Sequence, residues 1–339
     1  MRHASTLLSS SDSLPWAWDT DVPAPSDEPR LGLVTLYFDS RVSTERRATL
    51  RSDVGVMVAT AAARIAGLGA FGPSRVDIFF RSRVRFGSGV GGFCETDDGD
   101  ERAFRIEISG AADPTGLPEV RLLLAHELGH LIIGCADRLT GRSPGHGELA
   151  VIARLLVDEY LAERAVGLLL APHIVISGAS GLERSDLLTR IGKRNITGYA
   201  NLLRHQYRPI PGLISQAYRD EPGPRALAET MLALKRLASS VAYTVGAAHV
   251  FCVDRSPLST ALARLPQDVA AGLQTIEGIL DAAGRDLPDE FSLSDLAAFG
   301  ARADPAVEAA LGDLSRHLLA RMAGRMRSEV IHPGWLDSI

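Results

Sequence analysis

Residues 117–135 read LPEVRLLLAHELGHLIIGC, and this stretch carries most of what the sequence predicts about fold and chemistry. Pro118 suits the first position of a helix, because the N–H that it lacks would be unpaired there. Gly134 is a plausible end of that helix. The residues between them are apolar nearly all round, which predicts a helix buried over most of its circumference.

The same helix carries His126-Glu127-Leu128-Gly129-His130, which matches the pattern H-E-x-x-H. Residues four apart on a helix project from the same side, so His126 and His130 can share one metal ion. A catalytic zinc site uses three protein ligands and leaves the fourth position to water. Glu127 is predicted to take a proton from that water and return it to a leaving amine. The alternative is a buried cluster hydrogen-bonded to the backbone without a metal.

The third ligand is sought on the next helix, which is predicted from about Glu148 to Leu170 and to end before Pro172. No histidine lies six residues beyond His130, where an extended motif of the metzincin type would have one. Glu159 interrupts a stripe of apolar residues at three- and four-residue spacing, which is expected to face the core. A core-facing carboxylate needs a cation, so Glu159 is a candidate for the third ligand.

Other acidic residues surround this position. Glu163, one turn after Glu159, could accept the free ring N–H of a ligating histidine and fix its tautomer. An exposed pair with a neighbouring arginine is the alternative for Glu163. Asp158 is explained by an exposed helical pair with Arg154, four residues before it. The remaining ligand candidates are His146 and Glu148.

The spacing of these residues is similar to that of known zinc peptidases. H-E-x-x-H at 126–130 followed by E-x-x-x-E at 159–163 resembles the gluzincin arrangement. The segment EYLAERAVGLLLAP at 159–172 resembles the E-x-E-A-N-x-F-A-x-x-L-L-x-P segment of the ImmA/IrrE-type metallopeptidases, which also carry H-E-L-G-H. The resemblance covers about residues 31–172.

This resemblance implies a zinc cofactor with Glu159 as its third ligand, in an intracellular bacterial or phage protease that often cleaves a helix-turn-helix repressor. Leu161, Glu163 and Ala165 stand where the family favours Glu, Asn and Phe, so the substrate is not carried over. In zincins the strand before the catalytic helix is an edge strand. The resemblance therefore suggests that Phe104–Ser109 pairs with an extended substrate.

Charge and cysteine content bound the partners and the compartment. The net charge of −5 gives no global basic field, so nucleic acid is not expected as a direct ligand. Three cysteines without C-x-x-C spacing favour a reducing compartment, and the expected localisation is cytoplasmic. No signal-like segment and no uncharged apolar run of about 18 residues is found, so no membrane association is expected. Oligomeric state is left open.

The expected fold class is α+β: a zincin-like domain with a small mixed sheet and helices, followed by a mainly helical domain. The strands include a hairpin over about 93–109, with its turn at Asp98-Gly99. G-x-G-x-x-G at 87–92 precedes a strand rather than a helix, so it is interpreted as a loop bordering the site. The predicted strands are 31–38, 76–80 and 104–109, and the further helices are 44–68, 224–249, 258–283 and 305–330.

Three segments are predicted along the chain: a mobile N-terminal tail at 1–30, the metallopeptidase domain at 31–174 and the helical domain at 175–339. A faint resemblance places a helix-turn-helix-like module near 185–206.

Two functions follow from the sequence. The first is a zinc-dependent endopeptidase acting on a protein or peptide, with ligands His126, His130 and Glu159, and with Glu127 as general base and acid. The second is a regulatory or interaction protein whose zinc is structural. The group that stabilises the oxyanion is left open among Tyr160, His146, His173, Tyr199, His205 and Tyr243.

Overall fold

The chain is mixed α+β, as the sequence predicts, and helices predominate. A computed structural model describes residues 16–19, 33–65, 68, 72–82, 92–97, 100–113, 117–142, 147–176, 181–210, 212 and 224–323. The described strands are β1 (Trp16–Asp19), β2 (Leu33–Asp39), β3 (Arg75–Phe80), β4 (Gly92–Asp97) and β5 (Asp100–Ile108).

These strands form one mixed sheet in the order β1-β2-β3-β5-β4. β2, β3 and β5 run parallel in the centre, and β1 and β4 pair antiparallel at the two edges. Alternate residues of the central strands are buried, among them Ile78 and Ile106. The predicted hairpin of β4 and β5 is confirmed, although Asp98-Gly99 lies outside the described residues.

Two expectations about strands are wrong. β5 is not an edge strand, because β4 folds back and pairs along it, so β4 is the edge nearest the predicted catalytic helix. Trp16–Asp19 lies inside the segment predicted as a mobile tail, yet it pairs with β2 as strand β1. Aromatic residues favour strands, which accounts for pairing at this position. The rest of residues 1–32 lies outside the described part.

The first helix, α1 (Thr44–Arg64), is capped by Ser43, whose side chain accepts a hydrogen bond from the Arg46 N–H. Ser is a favoured cap because it satisfies an amide that has no partner within the helix. The buried face of α1 includes Leu50, Val54 and Met57 and packs toward the helices that carry the predicted site.

Those helices are α2 (Leu117–Thr140) and α3 (Glu148–Ile176), and both run past their predicted ends. Gly134 lies inside α2 and does not end it. Its missing side chain leaves room for the Phe104 ring, since a Cβ there would lie 3.0 Å from that ring. α3 continues through Pro172 rather than stopping before it.

The second half of the described chain is helical. Residues 185–206 lie within one continuous helix, so the expectation of a helix-turn-helix module there is wrong. Gly192 permits close packing instead of a turn, since a Cβ there would lie 2.4 Å from Phe251. The helices are α4 (Gly181–Tyr207), α5 (Pro224–Phe251), α6 (Ser256–Leu262), α7 (Gln267–Arg285) and α8 (Leu293–Ala323).

Two predicted helix bounds in this half also differ. The helix predicted over 258–283 is divided into α6 and α7, because Pro266 lies at the start of α7 and follows a turn. Pro305 does not begin the last helix but lies inside α8, which starts at Leu293.

The predicted domain boundary near residue 174 falls at the end of α3, but the hydrophobic core does not divide there. α5 and α8 pack along α3, and buried residues of both halves form one cluster. Among the described helices, none has the combined length and apolarity of a transmembrane segment.

Candidate metal centre

Three predicted ligands converge between α2 and α3. The Nε2 atoms of His126 and His130 lie 3.1 Å apart, and each lies 3.2 Å from Oε2 of Glu159. Ligand atoms bound to one tetrahedral zinc ion, at about 2.0–2.2 Å each, lie about 3.3–3.6 Å from one another. The triangle therefore has nearly the size that a zinc ion requires, and it is the only such group among the described residues.

The donor set also has the charge that a cation site needs. Burial alone would lower the pKa of His126, but the carboxylates of Glu159 and Glu163 outweigh it and raise that pKa well above its usual range. Burial acts to raise the pKa of Glu159, and the two imidazoles overcome this and lower it strongly. The buried carboxylates therefore favour a positive charge beside them, which a protonated imidazole or a bound divalent ion would supply.

Glu127 lies beside this triangle and is only 5% exposed. Burial raises the pKa of its carboxyl group, while the nearby histidines partly oppose that rise. Its carboxylate faces the start of β4, where a Cβ on Gly92 would lie 2.8 Å from Oε1. Gly92 is the last glycine of the G-x-G-x-x-G stretch, so one residue of that stretch does border the site; residues 87–91 lie outside the described part.

Glu163 is buried next to His126, not paired with an arginine at the surface. Its Oε1 lies 3.4 Å from Nδ1 of His126, the ring nitrogen opposite the predicted ligand atom. The same oxygen accepts a hydrogen bond of 2.7 Å from the hydroxyl of Tyr199. Nδ1 of His126 and Oε2 of Glu163 have no hydrogen-bond partner in the described part of the chain. The 3.4 Å contact between Oε1 of Glu163 and Nδ1 of His126 places Glu163 to orient that imidazole.

Tyr199 and Tyr243 reach the site from the helical half. The ring of Tyr243 lies 5.7 Å from that of His126, centroid to centroid, and stacks on Tyr199 at 5.1 Å. Burial raises the pKa of both phenols well above the usual range, and the adjacent carboxylates add to this effect.

The other oxyanion candidates are elsewhere or outside the described side chains. Tyr160 is fully buried and its hydroxyl contacts Nδ1 of His249 at 2.8 Å. His205 is exposed on α4. His146 and the side chain of His173 lie outside the described part. Glu148, a further ligand candidate, is exposed at the start of α3.

Asp158 is not in an exposed pair. Its contact with Arg154 exists at 3.6 Å, but both side chains are mostly buried. Arg142 contacts the same carboxylate at 3.2 Å and also binds Asp137 and Asp304. Burial raises the pKa of Asp158 to about 6, although both arginines oppose the rise. The arginine at position 142 follows α2 in an irregular segment, and no periodic pattern marks it.

The chain matches no protein-family model, no curated protein and no solved structure. The chemistry of the centre is therefore argued from its own residues.

Proposed function

We propose that this protein is a zinc-dependent endopeptidase of the ImmA/IrrE type with a zincin-like catalytic domain. The observation that supports it is the convergence of Nε2 of His126, Nε2 of His130 and Oε2 of Glu159 within 3.2 Å, beside the buried Glu127. A zinc ion held by these three side chains would polarise the scissile carbonyl and lower the pKa of a bound water molecule.

Glu127 is the general base and acid of the proposed reaction. Its carboxylate accepts a proton from the attacking water and delivers that proton to the leaving amine. Burial raises the pKa of Glu127, which favours a group that holds the proton between these two transfers. Gly92 has no side chain to obstruct the carboxylate at this position.

The substrate is proposed to be an extended segment of a specific intracellular protein, for which a transcriptional repressor is one candidate from the resemblance. Among the described strands, none pairs with the outer side of β4, and Gly92 of that strand borders Glu127. An added strand on β4 would bring its backbone to the catalytic carboxylate through main-chain hydrogen bonds. β4 replaces Phe104–Ser109 in this role.

A structural zinc site in a regulatory protein is the second candidate. Structural sites normally complete a tetrahedron with four protein ligands. Only three ligand groups converge within the described part of the chain, and the adjacent Glu127 is left beside them without serving as a ligand. This arrangement favours the catalytic function.

Substitution of Glu127 by Gln tests the proposal. Wild-type protein and the Glu127→Gln variant are expected to contain one zinc ion per chain by elemental analysis, because Glu127 is not a ligand. Incubation of each with the proteome of the source organism, followed by sequencing of new N-termini, should give cleavage products that require Glu127. For a substrate identified in this way, the variant is expected to cleave about 10²- to 10⁴-fold more slowly than the wild type.

Two results would contradict the proposal. Purified wild-type protein without stoichiometric transition metal would remove the metal centre. Equal sets of new N-termini from wild type and variant, each retaining zinc, would remove Glu127 from any catalytic role and favour the structural alternative.

A further inference from the structure

Two helices of the C-terminal half each bring a tyrosine to the metal centre. The hydroxyl of Tyr199 on α4 donates a hydrogen bond of 2.7 Å to Oε1 of Glu163. The ring of Tyr243 on α5 lies 5.7 Å from the ring of His126, centroid to centroid, and burial together with the charge of Glu159 raises the pKa of its phenol. The two rings stack with an interplanar angle of 28°, so the phenols form one unit.

The close approach of α5 to α3 allows Tyr243 to reach the metal centre. Gly246 lies three residues after Tyr243, and a Cβ there would lie 2.6 Å from Cβ of Glu163 and 2.9 Å from a backbone oxygen of α3. Only a residue without a side chain fits at this distance. The missing Cβ therefore allows α5, and with it the phenol of Tyr243, to lie against the helix that carries Glu159.

The hydroxyl of Tyr199 donates to a carboxylate of the centre. A phenol has one proton to donate, and Tyr199 gives it to Glu163 at normal hydrogen-bond distance. Oε1 of Glu163 also lies 3.4 Å from Nδ1 of His126. A donor that fixes this carboxylate therefore fixes the direction in which the imidazole points, as outer hydrogen-bond partners do at metal sites.

We propose that Tyr199 and Tyr243 are positioning residues of the metal centre. Tyr199 orients His126 through Glu163, and Tyr243 holds the carboxylate of Glu159 directly. The helical half is then part of the centre, and does not serve only to shape a substrate pocket. The inference rests on the proposed function, in that it requires these side chains to bind zinc.

The test uses the full-length variants Tyr199→Phe and Tyr243→Phe, which remove a hydroxyl and keep the stacked rings. Zinc affinity is measured by competition with a chelator, and Co²⁺ is substituted to record the visible absorption bands of the centre. Each variant is expected to bind zinc about 10- to 100-fold more weakly and to show shifted Co²⁺ bands. Tyr160→Phe is the matched control, because its buried hydroxyl contacts His249 instead.

A mutant cycle separates the indirect effect of Tyr199 from general destabilisation. In a Glu163→Ala background, Tyr199→Phe should cause little further loss of zinc affinity, because its action passes through Glu163. Unchanged zinc affinity and Co²⁺ bands in both tyrosine variants would overturn the inference, and so would an equal loss in Tyr160→Phe. In both of those results the wild type still binds zinc, so only the inference fails. A wild type that binds no zinc would overturn both the inference and the proposed function.

Discussion

At the scale of single residues, neighbours on one helix have different surroundings. Glu159 faces the two imidazoles of α2, whereas Asp158 joins a network of arginines and Glu148 is exposed. The helical period separates successive residues by about 100°, so one step along the chain changes which helix a carboxylate meets. The apolar stripe through Glu159 was enough to predict its inward direction. The arginine partner of Asp158 that comes from another segment was not predictable in this way.

Substitution of Glu159 tests its role as a ligand. Glu159→Gln should lose zinc affinity by more than the roughly 10- to 100-fold that loss of an outer hydrogen-bond partner costs, because an amide oxygen carries no charge. The measurement is chelator competition on the folded protein. Glu148→Gln, on the same helix but exposed, should bind zinc like the wild type. Equal affinities in all three proteins would exclude Glu159 as a ligand.

At the scale of secondary-structure elements, the metal centre depends on how closely α2 and α3 approach. Gly129 lies within the H-E-x-x-H pattern, and a Cβ there would lie 2.9 Å from Cα of Ala162 and 3.1 Å from Cβ of Ala165. The small side chain of Ala165 fits this contact. The contact brings the two histidines within reach of Glu159.

Enlarging that contact should separate the helices. Gly129→Ala is expected to lower the free energy of unfolding by about 1–3 kcal/mol, because the backbone of α3 cannot move aside as a side chain can. Zinc affinity should fall as well, since the ligands lie on both helices. Urea unfolding and chelator competition measure the two effects.

The matched control for this change is Gly198→Ala. Gly198 lies inside helix α4, and nothing lies within 4 Å of the position of its Cβ. Alanine there should stabilise the protein by about 0.5–1 kcal/mol, because it restricts the unfolded chain and fits the helix. If Gly129→Ala were equally stabilising, the contact between α2 and α3 would not require a glycine at position 129.

At the scale of the whole molecule, one side chain connects distant parts of the fold. Arg142 follows α2, is 7% exposed and binds Asp304 of α8 through two hydrogen bonds of 2.7 and 2.8 Å. It also contacts Asp137 of α2 and Asp158 of α3. Buried charges require such partners, because each would otherwise lose hydration without compensation. The network therefore fastens α8 to the two helices that carry the metal centre.

Removing one charge of this network should destabilise the protein. Asp304→Asn is expected to lower the free energy of unfolding by about 1.5–3 kcal/mol, the usual contribution of hydrogen bonds to charged groups. Asp313→Asn on the same helix is the control: its pair with Arg316 is more than 60% exposed on both sides, and its effect should stay within about 0.5 kcal/mol. Urea unfolding curves that coincide for these two variants would contradict the role given to Arg142.

The sequence by itself determined the local features: the buried helix with H-E-x-x-H, the inward direction of Glu159, and most strands of the sheet. These follow from periodicity, which is written into neighbouring residues. Tertiary structure decided that β4 and not Phe104–Ser109 is the edge strand, that 185–206 is one helix, and that Tyr199 and Tyr243 reach the centre. Those outcomes depend on contacts between residues far apart in the chain, and helical or strand spacing does not record which distant surface a side chain will meet.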